Sequence, residues 1–271
     1  MKLRLGAITA VLCLVGAGTA YAAGPVTGGP NTYTGNFAVS GGAGTAKKPV
    51  AVGVTETLGM GSTTANNVGA PLVDIKTSLY GLKSPNAKLF PTCTANKINA
   101  NGTSGKWNTA CAKGSLIASG HISAALVSPT VNLVGPGAPC SLGVSVYNSG
   151  PGKMTFFLTT TPSLCDGNQT GSAAAWTAKV YQAGANLVID DPEPADVSYN
   201  AGGLGLFGSL QSETLNFKKL SVKKAGKVYP FIESTGCKSH ARPFTIAYTA
   251  TESTSGSPTV GTGTVTGSAN C

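Results

Sequence analysis

From Val50 onward the apolar residues recur at every second position. Val50, Val52, Val54 and Leu58 alternate with Ala51, Gly53 and Thr55. Val73, Ile75 and Leu79 alternate with Asp74, Lys76 and Tyr80. Leu142, Val144 and Val146 lead into the turn residues 148–152, and Met154, Phe156 and Leu158 resume the period beyond them. Trp176, Ala178 and Val180 repeat it, as do Phe244, Ile246 and Tyr248. A period of two, punctuated by Gly, Pro, Asn and Ser, predicts antiparallel strands with one buried face. No stretch sustains a helical period with caps. The pattern therefore predicts an all-β fold of two packed sheets, an antiparallel β-sandwich of immunoglobulin-like or jelly-roll-like type.

Local departures refine this picture. Glu56 falls in phase with Val50, Val52 and Val54. A buried unpaired carboxylate is costly, so the first strand is expected to end near Thr55 and leave Glu56 exposed. Leu215 and Phe217 share a face, as do Leu220 and Val222, but the phase slips by one at Lys218–Lys219. A β-bulge there would keep both pairs inward. Lys224-Ala225-Gly226-Lys227 reads as a turn into Val228-Tyr229-Pro230-Phe231, and Pro230 suits an edge. Residues 23–46 are Gly, Thr, Asn and Ala with few large apolar groups, which reads as a flexible leader. Residues 47–271 are expected to form a single domain.

The N-terminus has the pattern of a secretory signal peptide over residues 1–22. Lys2 and Arg4 precede an apolar run, Leu5 to Val15, and Ala20-Tyr21-Ala22 is a small-x-small cleavage site. The run is too short for a membrane span, and no transmembrane segment follows it. The expected product is secreted and extracellular, and its short signal looks bacterial.

Cleavage at that site removes Cys13 and reduces seven cysteines to six. An even number in an exported chain favours disulfides over metal. The six form neighbouring pairs with turn residues near each midpoint. Cys93 and Cys111 centre on Gly102, Cys140 and Cys165 lie either side of Gly150-Pro151-Gly152, and Cys237 and Cys271 centre on Thr254. Three bridged hairpins are expected, and the last bridge would hold a Thr-, Ser- and Gly-rich tail as a final strand paired with residues 243–250. Folding at Thr254 would place Val260 near Tyr248 and Val265 near Arg242 or Pro243.

Charged residues are only 11% of the chain, a composition unusual for a cytosolic enzyme. The net charge of +9 becomes +7 without Lys2 and Arg4, and nearly all of it is lysine. Specific nucleic-acid reading favours arginine, so no specific nucleic-acid partner is expected. Lys218, Lys219, Lys223, Lys224 and Lys227 form a basic cluster that reads as protection of a sheet edge. Its functional reading is a patch for an anionic cell-surface polymer or glycan.

Motifs for chemistry are weak. Gly203-x-Gly205-x-x-Gly208 has the form of a dinucleotide fingerprint, but strands follow where a helix is required. Residues 190–196 hold Asp190, Asp191, Glu193 and Asp196 without calcium-loop spacing, and read as a solvated loop. His121 lies in a strand-like run with Ile117, Ser119 and Ser123, and neither G-x-S-x-G nor H-E-x-x-H occurs. A serine or metal hydrolase would have to assemble from scattered residues. Asn101 and Asn168 begin formal glycosylation acceptors that read as turns. Trp107, Trp176 and Tyr181 would make a sugar-stacking platform, although Trp176 follows the inward alternation and suits core packing. No catalytic residue, metal ligand or cofactor is assigned.

The phrases Leu89-Phe-Pro-Thr-Cys93, Ala110-Cys111, Val146-Tyr-Asn148, Gly226-Lys-Val-Tyr-Pro230 and Ser234-Thr-Gly-Cys237-Lys238 resemble a group of exported actinobacterial proteins of unknown function. The resemblance spans roughly residues 70 to 250. It implies a secreted β-rich fold and carries no site residues. The resulting expectation is a secreted, non-catalytic binding or cell-exterior protein of unknown ligand. The alternative is an exported hydrolase of glycan or cell-wall polymers. Paired carboxylates in a cleft would favour the enzyme, and an aromatic-lined face without paired acids would favour binding.

Overall fold

The structure is a computed structural model that describes residues 21–22, 24–102, 110–128, 137–160, 171–172, 175–201, 205–253 and 255–271. In chain order the strands begin with β1 (Tyr21–Ala22), β2 (Val26–Gly28), β3 (Asn31–Ser40), β4 (Val50–Ala51), β5 (Gly53–Ser62), β6 (Leu72–Tyr80) and β7 (Leu82–Lys83). A 3-10 turn (Ala87–Leu89) and helix α1 (Ala95–Gly102) follow. Then come β8 (Leu116–Val127), β9 (Ala138–Asn148), β10 (Lys153–Thr160), β11 (Gly171–Ser172), β12 (Trp176–Ala183) and β13 (Asn186–Pro192). The last are β14 (Phe207–Phe217), β15 (Ser221–Lys224), β16 (Lys227–Pro230), β17 (Glu233–Ser234), β18 (Ala241–Thr251) and β19 (Thr259–Asn270). Every strand pairing among the described residues is antiparallel.

Twelve of these strands form a nearly closed barrel rather than the two packed sheets of a sandwich, while β15–β16 and β4-β17-β7 form small separate sheets. Hydrogen-bonded neighbours run β19-β18-β6-β13-β12-β10-β9-β8-β14-β5-β3-β2. Alternation along a strand reports which residues share a face. It does not report whether those faces belong to two sheets or to one that curls round. The two ends of the path meet where β2 and β3 approach β19. A Cβ on Gly28 would lie 2.1 Å from the Thr262 carbonyl oxygen, and one on Gly263 would lie 2.3 Å from the Tyr33 ring. Glycine at these places allows the closing approach. Across the seam Tyr33 stacks on Tyr248 with centroids 4.7 Å apart, and the Tyr248 hydroxyl donates to the Thr34 carbonyl at 2.8 Å.

The expected flexible leader is instead part of this barrel. Residues 26–28 and 31–40 are strands, and Tyr33, Phe37 and Val39 are buried inside. Their alternation is short and interrupted by Gly35, so the average composition of residues 23–46 concealed it. Gly35 itself lies under Ile246, where a Cβ would come within 2.3 Å of the Ile246 side chain.

The barrel interior is mostly apolar, with a few buried acids, and the outer face is largely Thr, Ser, Asn and Lys. On β3, Thr34, Ala38 and Ser40 are exposed, and on β19, Thr262, Thr264 and Thr266 are exposed. A membrane-spanning barrel has the opposite arrangement, with its apolar band outside. Among the described residues no helix is long and apolar enough to cross a membrane.

Helix α1 departs from the purely strand-based expectation. Ile98 packs with the outward-facing Tyr147 and Phe157, and Asn99 bonds both the amide and the carbonyl of Ala175 at 2.7 and 3.0 Å. Cys93–Cys111 is formed, with Cα atoms 5.3 Å apart, but it brackets this helical excursion and not a hairpin. Eight residues with a low apolar content give too little periodic signal to read as a helix. Cys237–Cys271 is also formed, with Cα atoms 6.2 Å apart. Cys140 is disulfide-bonded, and Cys165, the partner that the spacing predicts, lies outside the described residues.

The tail does pair as a strand with residues 241–251, but in a different register. Gly263, not Val260, lies opposite Tyr248, and Val265 lies opposite Ile246. Ala250 pairs with Gly261 and Thr251 with Thr259, a bulge that the symmetric fold at Thr254 does not contain. The expected bulge at Lys218–Lys219 is absent as such. β14 ends at Phe217, and residues 218–220 carry the chain out of the barrel into the separate hairpin β15–β16. Ala225 and Gly226, with φ of 49° and 77°, form its turn.

Candidate functional site

The interior of the barrel holds four carboxyl groups. Glu56 on β5 is buried at 5% exposure, contrary to the expectation that it faces solvent. β5 continues unbroken to Ser62, so the alternation carries Glu56 inward with Val54, Leu58 and Met60. Asp191 belongs to β13 and not to a solvated loop, and it points inward with Leu187 and Ile189. Glu193 follows in the same phase and is partly buried. Glu213 on β14 is in phase with Leu215 and Phe217 and is 9% exposed. Asp190, on the outer face, instead pairs with Lys76 at 3.4 Å.

Asp191, Glu193 and Glu213 line a cavity at one end of the barrel, together with Phe156, Leu158 and Trp176. This is the end where β8, β10 and β13 finish and β9, β12 and β14 begin. Space open to the centre of a water molecule is about 60 Å³. Unfilled space including the mouth is about 560 Å³. Residues 194–201 fold across this end. The Pro194 carbonyl accepts the amides of Val197 and Ser198, and the Ser198 carbonyl accepts that of Gly208 at 2.6 Å. The Ser198 hydroxyl donates to the Leu72 carbonyl.

Trp176 is the organising side chain. It stacks on Phe156 with centroids 5.7 Å apart and planes inclined by 23°. Its indole Nε1–H donates to Asp191 Oδ1 at 2.7 Å. The aromatic pair makes one wall apolar, and the indole fixes one carboxyl beside it. Glu213 has no hydrogen-bond partner among the described residues.

Burial decides the protonation of this group. It pushes Glu213 up to about 7. Glu56 is held well above the usual carboxylate range by burial, then by the neighbouring Glu213 and Asp191. Asp191 is likewise raised by burial, against the opposing Trp176 hydrogen bond, with Glu213 adding to the rise. Glu193 is raised by burial and then by Asp191 and Glu213. Among the described residues, no lysine, arginine or histidine lines the cavity. Low-dielectric surroundings and mutual repulsion thus favour neutral acids.

The sequence signal for this site was phase. Each of the four acids continues an apolar alternation; the burial cost argues against it only for Glu56, residues 190–196 read as a loop, and Glu213 is not singled out by any motif. Tyr181, by contrast, is 43% exposed on the outer face, so the structure separates it from Trp176. Trp107 lies outside the described residues.

The other sequence candidates do not converge on the cavity. His121 is exposed and its Nε2 lies 2.8 Å from Ser141 Oγ, but no carboxylate bonds to its ring among the described residues. Gly205 precedes β14 and Gly208 lies within it, where a nucleotide fingerprint needs a helix, and Gly203 is outside the described residues. Among the described residues no group of three or more His, Cys, Asp or Glu side chains is arranged to hold a metal ion. Asn101 sits in α1 and bonds the Lys97 carbonyl at 2.8 Å, and Asn168 is outside the described residues.

Lys218, Lys219, Lys223, Lys224 and Lys227 are all exposed on or beside the β15–β16 hairpin. Val228 beside them is 63% exposed. Charges of this kind interact through water and are screened within about 8 Å at physiological salt. Binding of heparin-like polyanions to this face is expected to be weak, and to vanish by 0.5 M salt in a co-sedimentation assay. Undiminished binding at that salt would contradict a purely electrostatic patch.

No family model matches the chain, and neither the curated proteins nor the solved structures include a match to it.

Proposed function

We propose that this chain is an exported binding protein that takes a small organic molecule into the end of its barrel. The observation that carries this reading is the cavity walled by Trp176 and Phe156, with a few inward polar groups. Small-molecule sites are typically concave, mostly apolar and placed in the mouths of barrels. The polar outer face, the disulfides and the signal-like N-terminus support an extracellular setting. A ligand that binds the folded state raises the melting temperature. A screen of small organic compounds should yield some that raise it and also move the Trp176 indole resonance. If every stabilising compound leaves that resonance unmoved, the site is elsewhere and the reading fails.

The second reading is an exported glycan or cell-wall hydrolase. Glu213, held near neutrality beside Asp191, is the observation in its favour, because acid catalysis needs a carboxyl still protonated near pH 7. A polymer chain, however, needs a groove open at both ends, and residues 194–201 cross this one. Hydrolysis of glycan or wall substrates that is lost in Glu213→Gln would establish the enzyme over the binder.

A further inference from the structure

We infer that the cavity ligand is an organic cation, a protonated amine carried on a compact apolar body. This inference rests on the binding reading above and specifies the class of ligand. Two independent features point to it. The first is the unpartnered Glu213 carboxyl, nine-tenths buried and directed into the cavity. The second is the apolar wall of Phe156, Leu158 and Trp176 that lines the same cavity as the acids.

Each alternative leaves a group unsatisfied. An anion would enter among three carboxyl groups with no cation lining the site. A hydrocarbon would fill the apolar side and leave Glu213 without a partner, which is the costly arrangement for a buried polar group. A bare metal ion requires converging oxygen ligands, and the described residues offer no such set. Ser198 cannot serve as the main contact, because its hydroxyl is committed to Leu72. One oxygen of Asp191 is already held by Trp176. An ammonium group brings three N–H donors. It can pair with Glu213 and share the remaining carboxyl oxygens through charge-assisted bonds. The indole face adds cation–π attraction, and the carbon body covers the aromatic wall.

Proton balance follows from the groups that face the ligand. These are Glu213 on β14, Asp191 on β13 and Glu193 just after it; Glu56 on β5 does not line the cavity but is electrostatically linked to Glu213 and Asp191. Tyr248 on β18 and Tyr33 on β3 lie deeper, both with hydroxyls raised by burial. Asp74 on β6 and Asp190 act on Asp191 from farther out. Burial places Glu213 at about 7. When a protonated amine binds, Glu213 ionises and its proton passes to solvent. Affinity for the amine therefore rises with pH, by about tenfold between pH 6 and pH 8 for one linked proton.

The test uses n-butylamine, 1-butanol and butyrate as cationic, neutral and anionic probes of similar shape. Each is titrated into the protein at pH 6 and pH 8 while the Trp176 indole Nε1–H resonance is followed by NMR. Butylamine is expected to bind at least tenfold more tightly than butanol at pH 8, to weaken about tenfold at pH 6, and butyrate is expected not to bind. Glu213→Gln should retain butanol binding and lose the preference for the amine. Butanol binding as tightly as butylamine at pH 8, or an amine preference that survives Glu213→Gln, overturns the cation assignment while leaving the binding cavity standing. Failure of all three probes to move the resonance overturns the binding reading with it.

Discussion

Glu213→Gln is expected to stabilise the protein by about 3 kcal/mol at pH 8 and to leave it nearly unchanged at pH 4. The folded-state pKa of Glu213 is about 7, against an ordinary value of 4.5. A carboxyl raised on folding contributes its full stability only below its unfolded pKa. That stability is lost as pH rises through the folded value. The interval of roughly 2.5 units, at 1.36 kcal/mol each, sets the magnitude. Gln is neutral at both pH values, so it escapes the penalty of an ionised buried group. Glu56, Asp191 and Glu193 are shifted in the same direction, so the parent should lose stability steadily from about pH 4.5 upward. Denaturant unfolding of both forms at pH 4 and pH 8 measures the difference. An equal effect at both pH values would mean that Glu213 is not buried as an acid.

Replacing both Cys237 and Cys271 by Ser is expected to cost about 4 kcal/mol. The bridge closes a loop with a sequence separation of 34, and the chain-entropy model gives that magnitude for such a loop. The effect acts chiefly on the unfolded chain. β19 itself is held in other ways. Its ladder to β18 runs from Thr259 to Asn270, Val265 and Ala269 are fully buried, and Gly28 and Tyr33 press against it at the seam. The strand should therefore remain paired in the bridge-free protein. Its slowest amides should exchange nearly a thousandfold faster, in step with those of the other core strands. Selective loss of protection over residues 259–270 would show that the bridge, and not packing, holds the strand.

The buried acids and the bridged tail make one physical point. In each case a local cost was weighed without the surroundings that offset it. Glu56 was placed outside because a lone buried carboxylate is unfavourable. In the barrel it can stay protonated, since Glu213 and Asp191 oppose its ionisation along with burial. Residues 23–46 contain few large apolar groups, a composition that predicts a flexible leader. Yet Tyr33 alone stacks on Tyr248 and covers Gly263, contacts more than 200 residues away in sequence. Arg242 shows the same from the other sign. It is 1% exposed; Nη1 donates to the Gly236 carbonyl at 2.8 Å and Nη2 to the Ser234 hydroxyl at 2.7 Å, while Nε has no partner among the described residues. Nothing near it in the sequence announces that it is buried.

Period-two alternation and turn residues were sufficient to establish a nearly all-β antiparallel chain and several of its strands from Val50 onward, and the turn residues between neighbouring cysteines pointed to two of the bridges. These are local properties, carried by residues a few positions apart. Closure of the sheet into a barrel, the register of β19 and the meeting of Asp191, Glu193 and Glu213 were decided only by tertiary structure. They depend on which faces curl together and which glycines let backbones touch, and those contacts join residues whose separation along the chain carries no periodic trace.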